Sequence, residues 1–281
     1  MTSLRRMPEM KKNKSLLLSA PYVVWMLVFT LIPLGVVAYY ALTDPATGAW
    51  SLVNVKQLGL FLPTLGASVG YALISALICL VLGYPVAYYI AHRKPVTQKI
   101  LYMLVMLPMC MSFLLRTLAW VGLLETTGIL NSFLGLLGIG PVQMIGTPGA
   151  VVLGMVYNYL PYMILPLYAI IVKIDKRLIE AAEDLGCNGF NVFARVILPL
   201  SMPGILSGIT MVFVPAVSTF YISQKLGGTD TMLIGDVIER QFKSAQNPNL
   251  GAALSLVLMA LVFICTGIMN RFGSDDEGVV V

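Results

Sequence analysis

Long runs of apolar residues, separated by short clusters of charge, set the pattern of this chain. A hydrocarbon layer about 30 Å thick takes roughly 20 apolar residues of helix to cross. Six stretches have that character: 16–42, 65–91, 100–115, 150–171, 200–222 and 251–269. The pattern predicts an all-α polytopic membrane protein of about six transmembrane helices. A further apolar segment, 123–137, is interrupted by Glu125, Asn131 and several glycines, and is expected to be a short interfacial or re-entrant piece. Pro33, Pro85, Pro108, Pro161, Pro166 and Pro215 fall inside or near the spans. Membrane helices keep such breaks where neighbouring groups take up the freed carbonyls, so each marks a plain kink or part of a pathway.

The pattern changes at 173–203, between the fourth and fifth spans. Leu178, Ala181, Ala182 and Leu185 recur at i, i+3, i+4 and i+7, while Lys176, Arg177, Glu180, Glu183 and Asp184 take the other sides, which predicts an amphipathic helix. Gly186 follows where a helix end favours a left-handed residue. Asn188 is placed to cap a second helix, with Phe190, Phe193, Ala194 and Ile197 on one face, and Pro199 marks the turn into the next span. The expected product is a helix, a turn and a helix at the membrane surface. By periodicity alone it docks a partner, rests on headgroups or packs on its own bundle.

Composition supports this picture: 58% of the 281 residues are hydrophobic and 11% charged, unlike a soluble domain. A single domain, 1–281, is expected, with core spans over about 65–272. Of the lysines and arginines, Arg5, Arg6, Lys11, Lys12, Lys14, Arg93, Lys94, Lys99, Lys173, Lys176, Arg177, Arg195 and Arg271 fall on the side of the N-terminus. Lys56, Arg116, Lys225, Arg240 and Lys243 fall on the other. That bias predicts both termini in the cytoplasm, with the basic N-terminus leading into an uncleaved first span. The formal charge of +5 is spread over helix ends and does not form a nucleic-acid patch. The single histidine, His92, is expected to be a solvated residue at an inner helix end.

Candidate chemistry is sparse. Cys79, Cys110, Cys187 and Cys265 form no CxxC pair, so neither a disulfide nor a zinc site is indicated; the sixteen methionines suit adaptable packing. No G-x-x-x-x-G-K-[ST] occurs, which leaves no P-loop and no ATPase site of its own. The spans hold no carboxylate in their central portions, which argues against ion coupling. A low-complexity acidic tail, Asp275, Asp276 and Glu277, ends the sequence.

Within 173–203, Glu180, Ala181, Ala182 and Gly186, followed by Val196, Leu198 and Pro199, resemble the EAA loop of type I ABC importer permeases, with valine where the family usually has isoleucine. The stretches Leu82 to Ala91, Tyr157 to Pro166, Ser201 to Gly204, Phe220-Tyr221 with Leu226 to Gly228, and Leu233 to Phe242 are similar to the spermidine/putrescine permeases of that family. The resemblance covers nearly the whole chain. It implies a type I permease bundle in a bacterial inner membrane whose EAA loop seats on a cytoplasmic ATPase. It also implies a second homologous permease, two ATPase subunits that hold ATP and magnesium, an extracytoplasmic binding protein, surrounding lipid, and no cofactor in this chain. It places Tyr157, Tyr159, Tyr162, Phe220, Tyr221 and Gln224 along the substrate path, with Glu125, Asp230, Asp236 and Glu239 at its outer side. One position departs: relatives commonly carry an acid where Gln224 stands, followed here by Lys225. The alternatives that stay open are the same machine for another solute, such as a phosphonate, thiamine or ferric ion, or an ion-coupled carrier.

Overall fold

The computed structural model describes residues 10–44, 47–228, 231–245 and 247–274, with side chains described from residue 21 onward except at 270 and 272–274. Arg5, Arg6, Asp230 and the acidic tail lie outside the described residues, as do the side chains of Lys11, Lys12 and Lys14. Among the described residues the regular structure is helical. The elements in chain order are α1 (Met10–Ala41), α2 (Val53–Gln57), α3 (Leu62–Ala91), α4 (Pro95–Met106), α5 (Phe113–Leu124), α6 (Ile129–Leu136) and α7 (Pro148–Ile171). Then follow α8 (Lys176–Asp184), α9 (Gly189–Val192), α10 (Leu198–Leu200), α11 (Met202–Val217), α12 (Tyr221–Leu226), α13 (Ile234–Lys243) and α14 (Pro248–Ser274).

Five helical stretches are long and apolar enough to cross a membrane: Pro21–Ala41, Val53–Ala91, Phe113–Leu136, Pro148–Ile171 and Pro248–Met269. A sixth forms if Gly189–Leu200 and Met202–Val217, bent by 64° to each other, count as one. The core is the packing of α3, α7 and α11 on one another. In lipid no hydrophobic force draws helices together, so close approach through small residues does the work. The buried face of α3 is made of Ala72, Ser75, Ala76, Cys79, Gly83 and Ala87, and Gly83 meets Met163 and Ile164 of α7. Around this core α1 packs along α14, while α14 also covers α11 and α13. Asn249 donates to the Thr43 carbonyl at 2.7 Å and Asn54 to the same oxygen at 2.8 Å, which ties the end of α1 and the start of α14 together. No residue of the α1 window that could span is buried, so that helix touches the bundle along one side only.

Two expected spans are differently built. The one placed at 100–115 is a two-part crossing: α4 tightens into a 3-10 turn at Leu107–Cys110, the backbone is extended at Met111, and α5 starts at Phe113. Pro108 supplies the cause, since it has no N–H to continue the ladder. Together α4 and α5 run antiparallel to α7, Tyr102 packing at a tilt on Tyr168 and Trp120 edge-on to Tyr157. The segment 123–137 holds a turn and α6; its loop is closed by Asn131, which donates to the Glu125 and Val142 carbonyls and accepts from Val142 N–H.

The span placed at 200–222 stops at Val217, two residues beyond Pro215, and resumes as α12 after Ser218, Thr219 and Phe220. Prolines at 33, 85, 161 and 166 lie inside continuous helices instead. α12 climbs along α7 toward its N-terminal end, where Gly146 N–H bonds the Leu226 carbonyl. The chain then folds back, because Gly235 lies against the Thr219 and Ser218 carbonyls and Ile234 N–H bonds Ser68 Oγ at 2.8 Å. From there α13 rises again beside α14. Residues 231–243 thus start inside one end of the bundle and lead back out of it.

Helices α7 and α12 approach closely at Gly154, where an added Cβ would stand 2.5 Å from Leu226 Cδ1 and 2.9 Å from Ile222 Cγ2. Gly154→Leu is therefore expected to push α12 off α7 and cost about 1–3 kcal/mol. Gly66→Leu, which meets open space within the same fold, should leave the unfolding transition of the detergent-solubilised protein in place. Equal transitions for the two variants would refute the packing assignment.

Candidate functional site

The loop 173–203 folds as a helix, a turn and a helix. Asp175 caps α8 by accepting from Arg177 N–H at 3.0 Å. Its C-terminus closes with Gly186 at φ +85°, with Gly186 N–H on the Glu183 carbonyl and Cys187 N–H on that of Ala182. This paired closure satisfies two end carbonyls and needs a residue free to take the left-handed conformation. Asn188 caps α9 through Asn191 N–H at 2.8 Å. The apolar stripe of α8 does not pack on the bundle. Leu178 is 49% and Leu185 86% exposed, Phe190 at the start of α9 is 75% exposed, and Glu180 and Ala181 are exposed beside them. Ala182 is half-buried.

Behind α9 the backbone passes through a π-helical turn, Phe193–Ile197, in which Leu198 N–H reaches back to the Phe193 carbonyl. Val196 and Leu198 are half-buried here and Pro199 is exposed. The 64° bend into α11 follows. Ser201 at the bend is fully buried; its hydroxyl donates to the Leu198 carbonyl and shares a 2.8 Å hydrogen bond with Tyr84 Oη of α3. The Tyr84 ring stands edge-on to Phe193 at 5.5 Å. The loop is thereby joined to two core helices at one point. His92 at the end of α3 is exposed and bonds the Tyr88 carbonyl through Nδ1.

The expected path residues divide. Tyr159, Tyr162, Phe220 and Tyr221 line one cavity of about 430 Å³ at the break between α11 and α12, together with Phe113, Arg116, Asn158 and Thr219. Tyr157 is not among them: its ring packs on Trp120 at 5.4 Å. Glu125 is exposed and ends α5. Gln224 lines a second cavity, about 750 Å³, with Asp236, Glu239, Arg240 and Lys243; there Gln224 Nε2 donates to Glu239 Oε2, and Lys243 Nζ to Glu239 Oε1 at 2.6 Å. Lys225 turns away, its ammonium 5.9 Å from the Tyr221 ring centre. Burial pushes the Asp236 carboxyl above the usual carboxylate range, while the hydrogen bond from Lys243 holds that of Glu239 below it.

Arg116 corrects an expectation. Counted among the outer topology signals, it is 6% exposed, and its Nε and Nη1 have no hydrogen-bond partner among the described residues. Asn158, on the same cavity, is 1% exposed; its amide nitrogen donates to the Gly154 carbonyl and its Oδ1 has no partner there either. An ionised residue within an apolar run is itself a signal of a lined interior, and that signal was available at position 116. Nothing in the spacing marked Asn158. Among the described residues no cluster of His, Cys, Asp and Glu could hold a metal ion, and the four cysteines are free.

Comparison with known proteins bears on this geometry. Residues 80–274 match the family model described as binding-protein-dependent transport system inner membrane component. The spermidine/putrescine transport system permease protein PotB of Haemophilus influenzae is 41% identical over 85% of this chain and 87% of its own length. That of Escherichia coli is 40% identical over 83% and 88%. Inner membrane ABC transporter permease protein YdcU of Escherichia coli is 29% identical over 89% and 84%. In fold, a chain of a bacterial ABC transporter involved in alginate import superposes with a TM-score of 0.79 at 17% identity, covering 94% of this chain and 97% of that one. One from the MetNI methionine ABC transporter gives 0.60 at 15% identity over 78% and 97%. The likeness thus reaches from the helix-by-helix architecture to two fifths of the residues, and the chain belongs to the family of binding-protein-dependent transport system inner membrane components.

Proposed function

We propose that the chain is one membrane subunit of an ATP-driven importer that carries spermidine and putrescine across a bacterial inner membrane, both of its termini on the cytoplasmic side. The observation that carries this reading is the uncovered apolar face of α8, Leu178, Ala181 and Leu185, at the end of a bundle that has no P-loop. An amphipathic helix that leaves its apolar side unburied is built to meet another surface. Glu180, Ala181, Ala182 and Gly186, with Val196, Leu198 and Pro199 behind them, are its coupling element to a cytoplasmic ATPase. Two such ATPases bind ATP and magnesium, a second homologous permease completes the pathway, and an extracytoplasmic binding protein delivers the solute. The chain itself does no covalent chemistry and holds no cofactor.

The geometry provides the route for motion. A displacement of α8 passes through the π-helical turn to the Ser201 bend, and from there to α11 directly and to α3 through Tyr84. The far end of α11 is the break that walls the aromatic cavity. Aromatic faces and hydroxyls suit a polyamine, which offers ammonium groups for cation–π contact and hydrogen bonding. The relatives named for spermidine and putrescine support that solute class. Membership of a binding-protein-dependent family takes the place of the ion-coupled carrier. A second reading, the same machine for a solute with an anionic group, is favoured by the buried guanidinium of Arg116 with its unused donors.

The test is ATP hydrolysis by the complete complex in proteoliposomes with its binding protein. Spermidine is expected to stimulate hydrolysis, and Glu180→Lys, or Ala181→Leu with Ala182→Leu, to lower that stimulation at least about tenfold while insertion is retained. Full stimulation in those variants would overturn the coupling role. Arg116→Gln removes a cation from the path and is expected to preserve or raise spermidine-driven hydrolysis. Its loss in a correctly assembled complex would favour the anionic solute.

A further inference from the structure

The cavity of about 750 Å³ between α12 and α13 holds two carboxylates of unequal situation. Glu239 and Asp236 stand three residues apart on one face of α13. Asp236 is 3% exposed and fixed by its Oδ2, which accepts from Leu233 N–H at 2.8 Å. Its Oδ1 accepts no hydrogen bond among the described residues, although Ser223 and Gln224 are near enough to favour its charge. A buried carboxylate oxygen left without a donor is costly and therefore informative. Glu239 is occupied, and what occupies it is an ammonium on an alkyl chain: Lys243 Nζ at 2.6 Å, from a side chain that is 73% exposed. Gln224 donates to the other oxygen of Glu239, so this amide orients a carboxylate that α13 brings to it.

We propose that this cavity is a receiving site for a primary alkylammonium group, with Glu239 and Asp236 as its anionic wall, and that the Lys243 side chain is a built-in stand-in which the amine end of the solute displaces. The proposal rests on the polyamine reading for its substrate class. A lysine side chain ends in the same group as a polyamine, four methylenes from its backbone, so it fits wherever such an amine fits. An exposed ion pair along one helix is weak and is readily exchanged for a dication or trication that reaches Asp236 as well. Arg240, the other cation lining the cavity, is exposed at its rim. An arriving ammonium would also offset the burial that raises the Asp236 carboxyl. The cavity sits where the start of α13 enters the bundle, one helix turn from the break at 218–220 on which Gly235 rests, so an amine held here stands beside the aromatic cavity.

The experiment is equilibrium binding of labelled spermidine, and in parallel of 1-aminobutane, to the full transporter complex in nanodiscs without the binding protein. Lys243→Ala is expected to tighten spermidine binding about two- to fivefold, Glu239→Gln to weaken it, and the double variant to lose the gain. If Lys243→Ala binds no more tightly, or if its gain survives Glu239→Gln, the stand-in role is overturned. Should 1-aminobutane show that order of affinities while spermidine binds to none of the complexes, the ammonium site stands and the polyamine reading falls. Absence of binding by both amines, in variants that assemble normally, overturns the site and leaves the polyamine reading to be judged by stimulated hydrolysis.

Discussion

Inside hydrocarbon there is no water to take up a bare N–H or C=O, so every interruption of a helix has to be covered by the protein or face a wet space. The two main interruptions here obey that rule in one place. The break after Pro108 leads into α5, whose Phe113 and Arg116 wall the same cavity as Ser218, Thr219 and Phe220 from the break in α11 and α12. The carbonyls of 218 and 219 are approached by Gly235, which lets the re-entrant chain reach them because it has no side chain. The aromatic cavity exists because two broken crossings meet there, and its polar lining follows from the groups they expose.

That meeting requires a rigid surround. α3, α7 and α11 supply it by approaching closely through small residues, so that the broken elements are referred to one fixed frame. Asn249, Asn54 and Thr43 hold α14 and the α1 end in register. Large apolar side chains then face outward, as they do along α1 and on Leu73, Leu77 and Val81 of α3; in lipid this is the cheap arrangement, and the reverse of a water-soluble core.

What could be read from the sequence was whatever depended on a regular period. Uninterrupted apolar runs located α1, α3, α7 and α14 closely, and the charge pattern with Gly186 and Asn188 located α8, its left-handed end and the cap of α9. Irregular backbone was the part that periodicity could not reach. Pro108 and Pro215 were visible, yet a proline alone does not say whether a helix continues, as Pro161 and Pro166 do within α7, or stops. α13 carries Asp236, Glu239, Arg240 and Lys243, so its composition resembles a surface helix; only the contacts of Ile234 with Ser68 and of Gly235 with Thr219 reveal that its start lies within the bundle. Tyr157 and Tyr159 are two residues apart, about 200° around a helix, which is why one faces the cavity and the other Trp120.

The position of Ser201 links these parts. A loop that only touched a partner would transmit little, because a flexible joint absorbs displacement. Here the joint is a buried serine bonded to its own helix turn and to Tyr84, beside a π-helical turn that already departs from the regular ladder. Close packing makes such a joint shift as a unit instead of bending gradually. Since α11 runs from that joint to the break at 218–220, its two ends adjoin the exposed loop 173–203 and the wall of the cavity. Under the proposed coupling role, a push at one end would be a change of shape at the other.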